Sequence, residues 1–189
     1  RLHALNHEII IDVYPVWLSK DNALEIFESY DIVVDGSDNF ATRYLVNDAC
    51  VILKKPLVFG SIFKFEGQVS VFNYKGGPTY RCLFPEPPAA GEVPNCSEIG
   101  VIGVLPGIIG TLQANEVIKI ILEKGEVLSG VLYMYNALSN DVQKLKVFKD
   151  PVASVVTELG IYEEVCETSP DIDKKTFESW KEKNVDFQL

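Results

Sequence analysis

Short apolar runs and amphipathic stretches alternate along the first 75 residues of the chain. Apolar runs of about four to eight residues are typical of strands, whereas an apolar stripe at a spacing of three to four residues is typical of a helix. The continuous apolar run within residues 31–34 predicts a strand that is buried on both faces of a parallel sheet. The predicted order is a strand at 8–14, a helix at 19–30 capped by Ser19, a strand at 31–34, a helix at 40–54, and strands at 57–59 and 68–72.

Prolines and glycines interrupt this pattern in residues 75–98, which predict a long loop. The next segment is strongly apolar and predicts a helix over residues 106–124, ended by Gly125. Polar residues within that segment argue against a membrane span and indicate a helix buried in a core. Residues 131–135 and 143–148 predict an antiparallel hairpin. Together these elements predict an α/β fold in which parallel strands are followed by an antiparallel extension.

The character of the chain changes after residue 150. Residues 151–170 mix acidic and small apolar residues without a clear period, and we interpret them as a linker. Residues 171–189 predict one capped helix and the beginning of a strand. We therefore expect one principal domain at residues 1–150, followed by a short piece that is too small to fold alone.

Composition and charge narrow the classes of function. The chain has 189 residues, of which 47% are apolar and 23% charged, as in a soluble globular protein. Its 17 basic and 27 acidic residues give a net charge of −10, which argues against nucleic acid as a partner. The four cysteines are widely spaced and form no metal-ligand pair, which favours a reduced, cytoplasmic protein over a disulfide scaffold.

Charged and polar residues follow the predicted strand at 31–34 directly, in the stretch D-G-S-D-N at residues 35–39. In open α/β sheets, ligands bind at the carboxyl ends of the strands, where the next helix also points its N-terminus. A carboxylate at this place can hold Mg²⁺ beside a phosphate, so Asp38 is a candidate metal ligand. The alternative is a plain helix N-cap, because Asp, Ser and Asn are the preferred capping residues. The local pattern leaves both interpretations open.

Five motifs occur in order along the chain: D-G-S-D-N-F-A-T-R at 35–43, E-G-Q-V-S-V-F at 66–72, T-Y-R-C-L-F-P at 79–85, N-C-S-E-I-G-V-I-G at 95–103 and P-G-I-I-G-T-L-Q-A-N-E-V-I-K at 106–119. Together they resemble the MoeB/ThiF/HesA family, ubiquitin-activating-like enzymes that adenylate the C-terminal glycine of sulfur-carrier proteins. The resemblance covers residues 1–150 and implies a Rossmann-like, mostly parallel sheet with an antiparallel extension. It also implies that the family's N-terminal nucleotide-binding βαβ half, with its glycine-rich turn, would precede residue 8 and is missing here.

The resemblance implies a reaction and its participants. A carrier's terminal carboxylate attacks the α-phosphate of ATP, which releases pyrophosphate and leaves an acyl-adenylate. ATP and Mg²⁺ are the implied cofactors, and a sulfur-carrier protein of the MoaD or ThiS type is the implied partner, together with a second copy of the chain. The motifs do not choose between molybdopterin and thiamin biosynthesis. The complete protein is expected to be an adenylyltransferase, and this chain alone is expected to be inactive.

The resemblance also implies roles for three residues near the first motif. Asp38 is the Mg²⁺-binding acid and a catalytic residue, and Asn39 helps to bind the nucleotide. Arg43, one helical turn further, lies on the same face as Asn39 and would reach a phosphate or a dimer partner. For Arg43 the alternative of a surface ion pair stays open.

The cysteines divide into different expectations. Cys50 lies on an apolar helix and is expected to be a packed core thiol. Many relatives hold a structural zinc with a C-x-x-C pair at the position of Cys82, but Thr79 replaces the first cysteine here and the second pair is missing. Since structural zinc sites are four-coordinate, we expect no zinc site. Cys96 is a candidate catalytic thiol that accepts the activated acyl group, and the alternative of a bystander stays open.

Other functions fit the sequence less well, with one exception. A non-catalytic module that binds the carrier and dimerises, without ATP activity, remains the main alternative. An oxidoreductase lacks its fingerprint motif, and a hydrolytic triad has no suitable histidine. The last residues, 171–189, resemble the opening helix and strand of a rhodanese domain, although the match is short.

Overall fold

The computed structural model describes residues 1–88 and 100–162. Within these residues, one sheet contains its strands in chain order: β1 Val33–Asp35, β2 Leu57–Phe63, β3 Glu66–Phe72, β4 Val131–Asn136 and β5 Val142–Lys146. The helices described are α1 Leu2–Leu5, α2 Ala23–Glu28, α3 Phe40–Ile52, α4 Tyr80–Leu83 and α5 Leu105–Leu122. The predicted α/β class, with a parallel part and an antiparallel extension, is confirmed.

The balance between parallel and antiparallel pairs differs from the expected mostly parallel sheet. Only β1 and β2 pair in parallel, with Val33 opposite Leu57, whereas β2–β3, β3–β4 and β4–β5 are antiparallel. Short turns join β2 to β3 and β4 to β5, and such turns can connect only antiparallel strands. In the part of the chain that the structure describes, the antiparallel extension is therefore the larger part of the sheet.

The strand predicted at residues 8–14 is wrong. This segment has no regular structure, and Ile10 is 90% exposed. A β-branched run becomes a strand only where a neighbour takes up its backbone hydrogen bonds, and among the described residues β1 pairs only with β2. Val34 on β1 is also 51% exposed, so the predicted burial of this strand on both faces is wrong as well.

The helix predicted at residues 19–30 is shorter than expected, because it begins at Ala23. The side-chain oxygen of Asn22 accepts a hydrogen bond from the backbone N–H of Ser19 at 2.8 Å, and a turn precedes the helix. Ser19 therefore does not cap the helix, since Asn22 occupies the N-cap position. Local bonding of an asparagine side chain to nearby backbone competes with helix formation in this way.

Alternate residues of β2 and β3 face two different layers of helices. Leu57, Phe59 and Phe72 belong to the larger core cluster, together with buried residues of α2, α3 and α4. Val69 belongs to a second cluster with Leu105 and Ile109 of α5. Because successive strand residues point to opposite faces, α5 covers one face of the sheet, and α2, α3 and α4 cover the opposite face.

Two strand glycines allow α5 to approach the sheet closely. A Cβ at Gly60 would lie 2.4 Å from the side-chain amide of Gln113, and a Cβ at Gly67 would lie 2.4 Å from the side chain of Ile109. Glycine within a strand often marks such a close approach. The helix is therefore seated on β2 and β3 along the side that carries Ile109 and Gln113.

The other side of α5 is not buried, contrary to the predicted core helix. Ile118, Ile121 and Leu122 are exposed. By length and composition alone α5 would pass for a membrane-spanning helix. Two polar side chains on its buried side, Gln113 and Glu116, are instead hydrogen-bonded to the backbone of the sheet and of the loop before β4. The helix ends at Leu122, two residues earlier than predicted.

A buried ion pair joins α3 to α4 on the opposite face. The Arg81 guanidinium donates two hydrogen bonds of 2.8 Å to the Asp48 carboxylate, one from Nε and one from Nη2. Asn47 donates a third hydrogen bond to Asp48, and the Tyr162 hydroxyl donates a fourth. The hydrogen bonds to Asp48 and the charge of its carboxylate raise the pKa of Arg81, so the guanidinium keeps its charge.

Residues 150–162, the first part of the predicted linker, pack against this ion pair. The Cys82 sulfur accepts a hydrogen bond of 3.4 Å from the backbone N–H of Asp150, and Tyr162 reaches Asp48. Burial raises the pKa of Tyr162 to about 12. The segment is thus attached to the domain at both of its ends, and the boundaries at 150 and 170 stay predictions, because residues 163–189 lie outside the described residues.

Replacing Arg81 tests the contribution of the ion pair to stability. Arg81→Met is expected to lower the free energy of unfolding by about 3 kcal/mol, because Asp48 would remain buried without its cation. Urea unfolding of the two proteins measures the difference. The matched control is Lys75→Met, which removes an exposed ion pair with Glu123 and should cost less than about 1 kcal/mol. Equal losses for both variants would contradict the prediction.

Candidate functional site

The loop between β1 and α3 presents one carboxylate to solvent. Asp38 is exposed, whereas the neighbouring Asn39 caps α3, with its side-chain oxygen accepting a hydrogen bond of 2.7 Å from the backbone N–H of Thr42. The capping role that was the alternative for Asp38 therefore belongs to Asn39. The carboxylate of Asp38 is left free of this structural task, at the carboxyl end of a strand and before the N-terminus of a 13-residue helix.

A second carboxylate in the loop, Asp35, is buried and was not predicted as a site residue. Asp35 is only 4% exposed, and its Oδ1 accepts a hydrogen bond of 2.8 Å from the backbone N–H of Ser37. Its Oδ2 and the hydroxyl of Ser37 are buried and have no hydrogen-bond partner within the described residues. Burial raises the pKa of Asp35, against the lowering effect of the hydrogen bond from the backbone N–H of Ser37 and of the nearby Arg43 charge. Such unsatisfied, costly groups are typical of functional sites.

Arg43 supports the loop from within the protein. It is 8% exposed, and its Nη2 donates a hydrogen bond of 3.2 Å to the backbone carbonyl of Ser37. Its guanidinium lies over the rings of Phe40 and Phe59, at 5.5 and 5.8 Å from their centroids. The alternative of a surface ion pair is therefore wrong, because the side chain turns inward from α3 rather than out to solvent. Periodicity alone could not show this, since it places Arg43 only on a helix face.

Gln113 of α5 also supports the loop, and the sequence analysis missed it. Its Nε2 donates one hydrogen bond of 2.7 Å to the backbone carbonyl of Asp35 and another of 3.2 Å to that of Val58. The available signal was its position on the same helix face as the buried Leu105 and Ile109, at spacings of four and eight residues. A polar residue in such an apolar stripe indicates a specific hydrogen-bonding task.

The donor atoms at this end of β1 fit a magnesium ion and a phosphorylated ligand. Asp38, Asp35 Oδ2 and the Ser37 hydroxyl are oxygen ligands of the kind that Mg²⁺ prefers. The N-terminus of α3 favours an anion. Gly36 has open space where a side chain would otherwise begin, so a ligand can approach its backbone. The loop thus combines acidic groups for a cation with a helix terminus for an anion.

Two cysteines also carried expectations from the sequence. Cys96 lies outside the described residues, so its predicted catalytic role stays a prediction. Cys50 is fully buried, and burial raises its pKa to about 12, which confirms a packed core thiol. A cavity of about 650 Å³ lies beside Arg81 and residues 150–160, but Asp38, Asn39 and Arg43 do not line it.

Comparison with known proteins shows to which family this chain belongs. A model of the ThiF family matches residues 1–155. The chain belongs to the ThiF family. This result confirms the resemblance that the five sequence motifs indicated.

Named relatives of this ThiF-family chain are adenylyltransferases. The chain is 51% identical over 177 residues to the sulfur carrier protein adenylyltransferase of Thermus thermophilus, an alignment that covers 88% of this chain and 65% of the relative. It is 49% identical over 172 residues to the adenylyltransferase and sulfurtransferase MOCS3 of Aedes aegypti, covering 87% of this chain and 39% of the relative. The chain therefore spans only part of the length of these relatives.

Solved structures share the fold of this ThiF-family chain. The crystal structure of E. coli MccB with ATP superposes with a TM-score of 0.67 and 18% sequence identity, and the match covers 83% of this chain and 48% of MccB. At this level of identity the likeness concerns the fold alone. It agrees with the five-stranded mixed sheet described above.

The raised pKa of Asp35 predicts how stability depends on pH. Because the folded protein binds this proton more tightly than the unfolded chain, Asp35 favours folding at low pH and opposes it as pH rises through the folded pKa. Asp35→Asn keeps an oxygen for Ser37 and removes the charge. The variant is expected to have a higher free energy of unfolding than wild type at pH 7, and the difference should shrink toward acidic pH.

Urea unfolding of both proteins at a series of pH values measures this difference. Asp31→Asn is the matched control, because Asp31 is exposed just before the same strand and should change little at any pH. A less stable Asp35→Asn protein at pH 7 would contradict the prediction and would mean that attraction to Arg43 outweighs the cost of burial.

Proposed function

We propose that this chain is part of an ATP-dependent adenylyltransferase that activates the C-terminal glycine of a ubiquitin-like sulfur-carrier protein of the MoaD or ThiS type, in molybdopterin or thiamin biosynthesis. The observation that carries the proposal is the loop after β1, where Asp38 is exposed beside the buried Asp35 and the N-terminus of α3. Family membership and the names of the Thermus and Aedes relatives favour this reaction. The MccB structure with ATP supports the choice of nucleotide.

Different residues of the loop would bind the metal ion and the nucleotide. Asp38 would hold Mg²⁺, and Asn39, with the N-terminus of α3, would lie beside the nucleotide. A bound Mg²⁺ supplies neutralising charge for the phosphates, which is what an attacking carboxylate requires. Arg43 keeps its proposed contact with a phosphate or a dimer partner, and its hydrogen bond to the Ser37 carbonyl supports a further part in positioning the loop.

Cys96 keeps its two interpretations within this proposal. As a relay it would accept the activated acyl group, and as a bystander it would leave adenylation and sulfur transfer unchanged. Loss of sulfur transfer with unchanged adenylation in Cys96→Ser would favour the relay.

The proposal includes a homodimer formed through the outward side of α5. Gly107 and Gly110 are exposed with open space around their α-carbons, so no backbone of the described residues packs there. The apolar Ile118 and Ile121 are also exposed on this helix. Small residues beside exposed apolar ones suit close packing of another subunit. We further propose a cytoplasmic location, which the reduced thiols of Cys50 and Cys82 support.

Metal analysis of the purified protein is expected to find no stoichiometric zinc. Thr79 stands where the first ligand of a C-x-x-C pair would be, and its backbone N–H donates a hydrogen bond of 3.3 Å to the Cys82 sulfur. The backbone N–H of Asp150 donates another to the same sulfur. Hydrogen bonds thus join the two segments that a zinc ion would join in relatives that have one. One zinc per chain would contradict this prediction.

Carrier-dependent exchange between ATP and pyrophosphate tests the proposed reaction. The assay uses the intact protein with the family's upstream nucleotide-binding half present and a ThiS- or MoaD-type carrier. Asp38→Ala is expected to reduce exchange at least about 100-fold, because it removes the exposed acid that would hold Mg²⁺. Its unfolding curve should match wild type, since Asp38 is exposed and Asn39 provides the helix cap.

Asp31→Ala is the control, because it removes an exposed aspartate at the other end of β1 and should leave exchange unchanged. Undiminished exchange by Asp38→Ala would end the assignment of this residue. The chain as printed is assayed in parallel and is expected to show no exchange. Carrier binding without exchange by the intact protein would favour the alternative, a non-catalytic binding and dimerisation module.

A further inference from the structure

One side chain connects the helix on one face of the sheet to the loop that carries Asp38. Gln113 is 7% exposed, and its Nε2 has two N–H groups. Nε2 donates a hydrogen bond of 2.7 Å to the carbonyl oxygen of Asp35, the last residue of β1. It donates a second hydrogen bond of 3.2 Å to the carbonyl oxygen of Val58 on β2. The amide therefore bridges the backbones of the only parallel strand pair among the described residues, at the end from which the loop departs.

The strand provides a dedicated space for this amide. A Cβ on Gly60 would lie between 2.4 and 2.6 Å from three atoms of the Gln113 amide group. Only glycine, which has no Cβ, leaves the Gln113 amide room to stay in this position. The combination of a strand glycine and a helical glutamine is thus one structural unit formed by β2 and α5.

The structure assigns Gln113 as a positioning residue for the Asp38 loop, an inference that rests on the proposed adenylation function. It holds the carbonyl at the beginning of the loop, while Arg43 holds the carbonyl of Ser37 inside it. The hydrogen bonds to these two carbonyls limit the backbone conformations of residues 36–38 and thereby fix the position of Asp38.

Two pairs of variants test the assignment. Gln113→Met keeps the volume of the side chain and removes both donors, and Glu116→Met is its match, because Glu116 is buried one turn later and bonds the backbone N–H of Leu128 instead. Gly60→Ala should push the Gln113 amide away, whereas Gly67→Ala should displace Ile109 and crowd Leu105. All four variants disturb the contact between α5 and its surroundings, but only the first member of each pair disturbs β1.

Amide hydrogen exchange and enzyme kinetics are measured on the intact protein. Gln113→Met and Gly60→Ala are expected to accelerate hydrogen exchange at residues 36–39, to raise the Mg²⁺ concentration for half-maximal ATP–pyrophosphate exchange about 10-fold, and to lower its maximal rate about 10- to 100-fold. Glu116→Met and Gly67→Ala should leave all three quantities near wild type, even where they lower stability.

Each possible result decides the assignment. Equal changes within both pairs would overturn it, because they would show a general effect of helix packing. Unchanged hydrogen exchange at residues 36–39 in Gln113→Met would overturn it as well. If the wild-type protein shows no ATP–pyrophosphate exchange, the proposed function fails, and the hydrogen exchange data still decide whether Gln113 orders the loop.

Discussion

The contact of the Gln113 amide of α5 with the backbones of β1 and β2 is the interaction on which the candidate site depends. Two glycines remove the side chains that would hold the helix away, and the helix fills that space with Ile109 and Gln113. Hydrophobic burial of Leu105 and Ile109 provides most of the attraction, since apolar burial contributes about 25 cal/mol per Å². The amide of Gln113 then fixes the orientation of the helix on the sheet, because its two N–H groups must donate to the carbonyls of Asp35 and Val58.

The loop after β1 is held by hydrogen bonds, yet it also contains buried groups that lower the stability of the fold. Three hydrogen bonds fix its backbone, from the backbone N–H of Ser37 to Asp35, from the backbone N–H of Thr42 to the Asn39 cap, and from Arg43 to the Ser37 carbonyl. Yet the buried Asp35 carboxylate and the Ser37 hydroxyl keep atoms without hydrogen-bond partners among the described residues. A sequence selected only for stability would satisfy or remove these groups, because an unmade buried hydrogen bond costs about 1–3 kcal/mol. The proposed binding of a cation and an anion at this loop would explain why these groups are kept.

The opposite face of the domain also contains buried charged groups, but there they are paired and hydrogen-bonded. The Asp48 carboxylate is buried beside Arg81, and the pair makes further hydrogen bonds with Asn47, Tyr162 and the backbone carbonyl of Pro85. Cys82 attaches the segment at Asp150 through hydrogen bonds to its sulfur. This network joins α3, α4 and residues 150–162, and it lies apart from the Asp38 loop. Satisfied polar groups therefore mark the structural network, and unsatisfied ones mark the candidate site.

The sequence by itself determined the parts of this protein that depend on local order along the chain. Apolar periodicity predicted α3, the β4–β5 hairpin and the polar loop after β1, and the five motifs indicated the ThiF family, because short-range spacing and residue type are sufficient for both. The same reasoning failed for residues 8–14, where strand formation requires a partner strand, and it overestimated the burial of Val34.

Only the tertiary structure decided which polar residues support the loop. Asp35 and Asp38 are three positions apart and chemically identical, but packing buries the first and exposes the second. Gln113 lies 78 positions from Asp35, and the contact between them exists because the fold places α5 over the end of β1. Local pattern predicts on which helix or strand a residue lies. The burial and hydrogen-bond partners that define its role depend on elements that are distant in sequence.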